Sequence, residues 1–108
     1  MASLHVHEIA LQVVTELAPW MPNIARQDRN LAQQLRRAAT SIVLTIAEGE
    51  HSDPGTGRSR FLSAAGSASE ARAAIRLATA WRYPQPQQVE SCLRGLDRVL
   101  AMLRKLTH

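Results

Sequence analysis

Several residue types are scarce in this chain, and their scarcity limits the possible folds. Among 108 residues there are one cysteine and four aromatic residues. A single cysteine excludes an intramolecular disulfide and any zinc site that needs several cysteines. Six valines and five isoleucines stand against 17 alanines and 13 leucines, the strongest helix formers. The composition therefore excludes an all-β sandwich and predicts a single all-α domain.

Long apolar runs are also lacking. No stretch approaches the roughly 20 apolar residues of a membrane span, and His5, His7 and Glu8 interrupt the first apolar run, which excludes a signal peptide. We therefore expect a soluble cytoplasmic protein without a membrane partner. Acidic residues number nine against 13 basic ones, of which 12 are arginine. The net charge of +4 permits an acidic partner, although GC-rich codon usage explains arginine enrichment equally well.

Apolar residues recur at steps of three and four, which predicts helices. Pro19 and Pro22 are predicted to end the first helix, and Gly49 to cap the second in a left-handed conformation. Asp53-Pro54-Gly55 is predicted to form a turn. Four amphipathic helices with short connections predict an antiparallel up-down bundle over residues 1–108. The predicted helices cover about 4–18, 27–48, 59–82 and 86–106.

A line of polar side chains runs along the second predicted helix, at steps of 3, 4, 4 and 3: Gln34, Arg37, Ser41, Thr45 and Glu48. One interpretation is a solvated face. The other is a line that packs against another helix or subunit. In that case Arg37 needs a carboxylate partner, since an unpaired buried charge is costly, and Glu70 is the candidate. Gly66, beside Ser67, is predicted to mark the close approach of another backbone.

Several short motifs, in this order and spacing, resemble one family. They are Gln34-Leu-Arg-Arg37-Ala-Ala-Thr-Ser41-Ile, Ile46-Ala-Glu-Gly49, Phe61-Leu62, and Ala65-Gly66-Ser67 followed by Glu70. The chain resembles, over about residues 4–106, the four-helix-bundle proteins encoded by intervening sequences in bacterial 23S rRNA genes. It departs from the family at Thr45, where asparagine is usual, and after Gly49, where an aromatic and basic segment is usual.

The resemblance implies an up-down four-helix bundle that assembles into a ring-shaped homopentamer. More distantly, the chain is similar to the accessory protein of diversity-generating retroelements, a basic pentameric barrel that binds a reverse transcriptase and nucleic acid. That link is an analogy of fold. Under this resemblance the family motif supplies structural or interface residues: Gln34, Arg37, Ser41, Glu48, Gly49, Gly66, Ser67 and Glu70.

Positive charge is concentrated in the second half of the chain. Residues 1–28 sum to −2, residues 29–60 to +2 and residues 61–108 to +4. We expect a non-enzymatic protein without metal, cofactor or catalytic residues that binds RNA or DNA. The resemblance implies that its other partners are further copies of itself and a nucleic-acid enzyme such as a reverse transcriptase. The expected nucleic-acid contacts are Arg36, Arg37, Arg72 and Arg76, with Arg58 and Arg60 as secondary candidates.

Two other functions remain open at this point. One is a purely structural or protein-interaction module without affinity for nucleic acid. The other is a metal-dependent nuclease relying on Glu48 and Glu70, although the sequence has no cluster with metal-ligand spacing. Trp20 and Trp81 flank helix breaks and are predicted to close the ends of the bundle rather than stack on a base. Cys92 falls on an apolar seam and is predicted to be a small core residue.

Overall fold

The chain was analysed as a computed structural model, which describes the backbone of residues 2–108 and the side chains from His5 onward. The described residues form five helices and no strand, so the all-α prediction is confirmed. No described helix is long and apolar enough to cross a membrane. The helices are α1 (Ala2–Leu17), α2 (Met21–Gln27), α3 (Arg29–Glu50), α4 (Pro54–Ala80) and α5 (Val89–Thr107).

Four of these helices surround one apolar core. Helix α3 packs against α1 and α4, and α5 packs against α1 and α4, while the short α2 lies against α3. The seam of α4 consists almost entirely of alanine, which brings its backbone close to its neighbours. Alanine side chains at 64, 68, 71 and 78 are completely buried, as are Leu35, Ile75 and Leu96 from three different helices. The predicted apolar stripes of these helices are confirmed.

Helix α2 was not predicted, because Pro19 and Pro22 were interpreted as breakers. Pro22 instead lies in the first turn of α2, where its missing N–H group is not needed for a helical hydrogen bond. Ile24 is 1% exposed, so the short helix is held by its apolar side chain. Asp28 then begins α3 as its N-cap, with the carboxylate accepting a hydrogen bond from the Leu31 N–H group at 3.0 Å.

Helix α4 begins five residues earlier than predicted, at Pro54 instead of 59. The predicted turn at Asp53-Pro54-Gly55 is wrong, since Asp53 is an N-cap and Pro54 the first helical residue. The Asp53 carboxylate accepts hydrogen bonds from the N–H and hydroxyl groups of Thr56 at 3.0 and 2.9 Å. These bonds favour the charged form and lower the pKa of Asp53 below its ordinary value.

Gly49 does not adopt the predicted left-handed cap, because α3 continues through it to Glu50 and no described glycine has a positive φ. Its role is close packing. A β-carbon at residue 49 would lie 2.7 Å from Cε1 of Phe61, and one at Gly57 would lie 2.9 Å from the Gly49 carbonyl oxygen. The close approach predicted at Gly66 is wrong within this chain, since a β-carbon there would meet nothing within 4 Å.

The segment between α4 and α5 is tied to α2 and α3. Trp20 is 1% exposed and donates a hydrogen bond from Nε1 to the carbonyl oxygen of Pro84 at 2.7 Å. The Tyr83 hydroxyl donates to Oδ2 of Asp28 at 3.0 Å. Burial, together with this bond to a carboxylate, raises the pKa of Tyr83. Trp20 therefore closes an end of the bundle, as predicted.

Trp81, the second tryptophan, does not close an end of the bundle. Helix α4 ends at this residue in a Schellman motif, in which the Tyr83 N–H group bonds to the Ala78 carbonyl at 3.0 Å and the Arg82 N–H group to the Thr79 carbonyl at 2.9 Å. Arg82 occupies the left-handed position of the motif, with φ of 66°. The indole of Trp81 is left 62% exposed, so the prediction for this residue is wrong.

Candidate functional site

The family motif forms the contact between α3 and α4. Ser41 of α3 lies 2.9 Å from Ser67 of α4, hydroxyl oxygen to hydroxyl oxygen. Thr45, one turn further along α3, is 7% exposed, with its hydroxyl 3.4 Å from that of Ser41. The middle of the predicted polar line therefore faces a neighbouring helix, while its ends reach the surface.

The surface groove beside this contact is lined by Gln34, Arg37, Ser41, Ser67 and Glu70. Five of the predicted interface residues are thus brought together. Arg37 and Glu70 are both exposed, and they do not form the expected ion pair. The ion pair that residues 5–108 contain joins Arg72 to Asp97 instead. Exposure removes the need for a partner within the chain, since water solvates both charges.

The outward face of α3 carries a second group of predicted residues. Arg36, Arg37 and Glu48 are exposed there, together with Thr40. Leu44 lies among them and is 59% exposed. The face therefore combines both signs of charge around one leucine, a mixture suited to a protein contact as well as to solvent.

The other two principal arginine candidates lie on a different face, between α4 and α5. Arg72 and Arg76 line an open groove of about 650 Å³ with Leu77, Asp97 and Leu100. Nε of Arg72 donates to the Asp97 carboxylate at 2.8 Å, which partly neutralises it, whereas Arg76 is exposed. The four principal arginines therefore form two separate pairs and not one continuous site.

The two secondary candidates differ from each other. Nε of Arg58 donates to the carbonyl oxygen of Thr107 at 2.8 Å, joining the first turn of α4 to the last residue of α5. This bond satisfies one of the carbonyl groups that a helix C-terminus leaves unpaired. Both arginines are exposed, but the bond to Thr107 gives Arg58 a structural role that sequence reasoning missed.

The carboxylates considered for metal chemistry are not grouped. Glu48 lies beside Gly49, which is close to Phe61 of α4. Glu70 lies nine residues further along α4 than Phe61, roughly 13 Å along the helix, so the two carboxylates are far apart. Within the part of the chain that the structure describes, no three His, Cys, Asp or Glu residues are placed to hold a metal ion. Cys92 is fully buried, and burial raises the pKa of its thiol to about 11.

Sequence reasoning singled out Arg76 at the end of α4 but missed Leu77 and Arg82 beside it, and it did not predict that Trp81 is exposed. Leu77 is 46% exposed and Trp81 62% exposed, one helical turn apart. Arg76 and Arg82, also exposed, lie next to them in sequence. The alternation of arginine with leucine and tryptophan over residues 76–82 was the available signal.

Comparison with known proteins identifies the family. The sequence profile of the 23S rRNA-intervening sequence protein family matches residues 2–105. Among curated proteins, none matches the chain. A solved structure with the same fold is that of a protein of unknown function from the S23 ribosomal protein family of Bacteroides thetaiotaomicron, with a TM-score of 0.88, 18% identity, and 99% and 98% of the two chains covered. This chain therefore belongs to the 23S rRNA-intervening sequence protein family.

Proposed function

We propose that this protein is a non-enzymatic up-down four-helix bundle that assembles into a homopentamer and binds nucleic acid through exposed arginines. The observation that carries the proposal is the state of those arginines. Arg36, Arg37 and Arg76 are exposed, and none takes part in the ion pair that residues 5–108 contain. Their guanidinium groups are available to phosphate, which they can bind through two parallel hydrogen bonds.

Self-association is supported by the outward face of α3. Arg37 and Glu48 lie exposed on this face with Leu44 between them, and Leu44 is 59% exposed. A second copy would cover Leu44 and supply opposite charges to both ends of the face. The ring of five is the assembly that the family resemblance implies.

Assembly would multiply a modest charge. Each chain has a net charge of +4. A pentamer would repeat this charge, and the arginine pairs that carry part of it, five times around a closed ring. Binding that depends on phosphate neutralisation weakens steeply as salt rises, because the entropy gained by releasing condensed counterions falls as the bulk salt concentration increases. A strong salt dependence is therefore the expected signature of the proposed function.

The test is a titration of labelled structured RNA and of duplex DNA with the whole protein, at low and at moderate salt. We expect binding at low salt that falls steeply at moderate salt. The double variant Arg36→Ala/Arg76→Ala, which leaves the proposed subunit contact of Arg37 in place, should bind more weakly than Arg94→Ala/Arg98→Ala, which removes the same charge from exposed positions of α5. No binding of either probe, or of a single-stranded oligonucleotide, at low salt would overturn the nucleic-acid part of the proposal.

A protein-interaction module without affinity for nucleic acid is the alternative, and one observation favours it. Leu44 and Leu62 are 59% and 47% exposed, on α3 and α4. Sedimentation measurements separate the two parts of the proposal. Loss of the oligomer in Arg37→Ala would support the α3 face as a subunit contact, whereas an unchanged oligomer in both Arg37→Ala and Glu70→Ala would contradict it.

A further inference from the structure

The end of helix α4 presents the largest exposed aromatic surface on the described chain. Trp81 is 62% exposed, while Trp20 is buried. Burying a large apolar side chain stabilises a fold by roughly 1.5–3 kcal/mol. Little of that stabilisation is realised at residue 81. The neighbouring Arg82 occupies a left-handed backbone position that glycine would adopt more easily.

Exposed arginines lie on both sides of this indole in the sequence. Arg82 follows it directly, and Arg76 lies five residues earlier on the same helix, both exposed. Leu77, one turn before Trp81, is 46% exposed and extends the apolar surface toward the groove that Arg72 and Arg76 line. Asp97 is the acidic group that lines this groove, and Arg72 binds it.

We infer that Trp81 is a stacking platform for an unpaired base of single-stranded nucleic acid, with Arg76 and Arg82 binding the adjacent phosphates. This inference rests on the proposed nucleic-acid binding and names the form of nucleic acid. An exposed indole offers a flat face to any base, and arginines beside it neutralise the backbone. Bases in a duplex are already stacked on each other, so the platform favours single strands.

Charge decides between this ligand and a protein partner. An exposed tryptophan with a leucine one turn away also suits a protein contact. The arginines of this stretch are Arg72, Arg76 and Arg82, however, and two carboxylates oppose them: Asp97, which Arg72 binds, and Asp28, which accepts a hydrogen bond from Tyr83. The remaining excess of positive charge selects a polyanion.

The test uses the intrinsic fluorescence of the whole protein. The chain has two tryptophans, so the emission of wild type minus that of Trp81→Phe reports residue 81. We expect this emission to be quenched by acrylamide in the free protein. Added oligothymidylate should quench it directly, because stacking deactivates the excited indole, and should protect it from acrylamide. Inorganic polyphosphate, which has no bases, should do neither.

Binding measurements with variants complete the test. Trp81→Ala should weaken the binding of oligothymidylate about fivefold to 150-fold, the range for losing one stacked base, and Trp81→Phe should recover part of the loss. The affinity for polyphosphate should stay unchanged in Trp81→Ala. Arg76→Ala should weaken binding more than Arg104→Ala, which removes an exposed arginine seven residues beyond Asp97, on the side away from Trp81.

Three results would overturn the inference. Binding of oligothymidylate with unchanged residue-81 emission and unchanged affinity in Trp81→Ala would remove the platform while leaving the proposed function intact. Residue-81 emission that acrylamide cannot quench, or an oligomer that dissociates in Trp81→Ala, would assign the patch to contact between copies. Failure of every nucleic acid to bind would remove the proposed function as well.

Discussion

Gly57, in the first turn of α4, lies directly against the end of α3, where a β-carbon on it would be 2.9 Å from the carbonyl oxygen of Gly49. A backbone atom cannot move away as the tip of a side chain can. We expect Gly57→Ala to separate the two helices and to lower the free energy of unfolding by about 1–3 kcal/mol, the usual cost of overpacking. Urea denaturation measures this, and a stability equal to that of wild type would show that the contact is looser than described.

Gly66 is the matched control on the same helix, because a β-carbon there would meet nothing within 4 Å. We expect Gly66→Ala to raise the free energy of unfolding by about 0.5–1 kcal/mol, since alanine is the better helix former. The same denaturation experiment measures it. A lower stability, together with a smaller oligomer in sedimentation, would instead place Gly66 against a second copy.

Arg82 holds a left-handed conformation that costs a residue with a β-carbon about 1–2 kcal/mol. Arg82→Gly should therefore raise the free energy of unfolding by about 1 kcal/mol, which thermal denaturation measures as a higher unfolding temperature. Arg82→Ala removes the same charge but keeps the β-carbon, so it should not share the gain. If the two variants are equally stable, any change in stability comes from the lost charge and not from the left-handed backbone conformation.

Arg58 joins the beginning of α4 to the end of α5 through its bond to the Thr107 carbonyl. Arg58→Ala should destabilise the protein by about 1 kcal/mol, the typical net contribution of one such hydrogen bond. Arg60→Ala, two residues away and exposed, should leave the stability within error. Hydrogen exchange at the last turn of α5 locates the effect, and unchanged protection there in Arg58→Ala would contradict it.

Asp53 links the stability of the protein to pH. Its pKa is lowered in the folded state by its bonds to Thr56, so its contribution is complete above the unfolded-state pKa, near 3.8. That contribution is lost as the pH falls through the lower, folded-state pKa. Asp53→Asn keeps a side-chain acceptor for the Thr56 N–H group without titrating, and should therefore flatten the fall in stability below pH 4. Acid titrations of both proteins, followed by circular dichroism, should differ; superimposable curves would refute the linkage.

The helical fold could be predicted because apolar spacing reports directly on which face is buried. The helix ends could not. Pro22 and Asp53-Pro54 are typical both of a break and of the first turn of a new helix. The burial of Ile24 decides the first case, and the hydrogen bond from the Thr56 N–H group to the Asp53 carboxylate decides the second. Gly49 likewise suits a left-handed cap or a close contact, and the contact depends on Phe61, twelve residues away.

The candidate site shows the same limit. Packing of the polar line against another helix was one of two interpretations of its spacing, and the structure places Ser67 of α4 against Ser41. The spacing did not decide between the two interpretations, and it did not identify Ser67 as the partner. The different surroundings of Trp20 and Trp81 did not follow, because each stands beside a helix break. Which indole is buried depends on the path of the loop after α4, where Pro84 accepts the hydrogen bond from Trp20.

The short connection between α3 and α4 also has a kinetic consequence. Only residues 51–53 separate the two helices, and the buried seam of α4 consists largely of alanines, which need no rotamer search. Contacts between elements so close in sequence form with little loss of chain entropy. We expect this pair to assemble early on the folding pathway. The bonds of Trp20 and Tyr83, which join residues 64 and 55 positions apart, should form late.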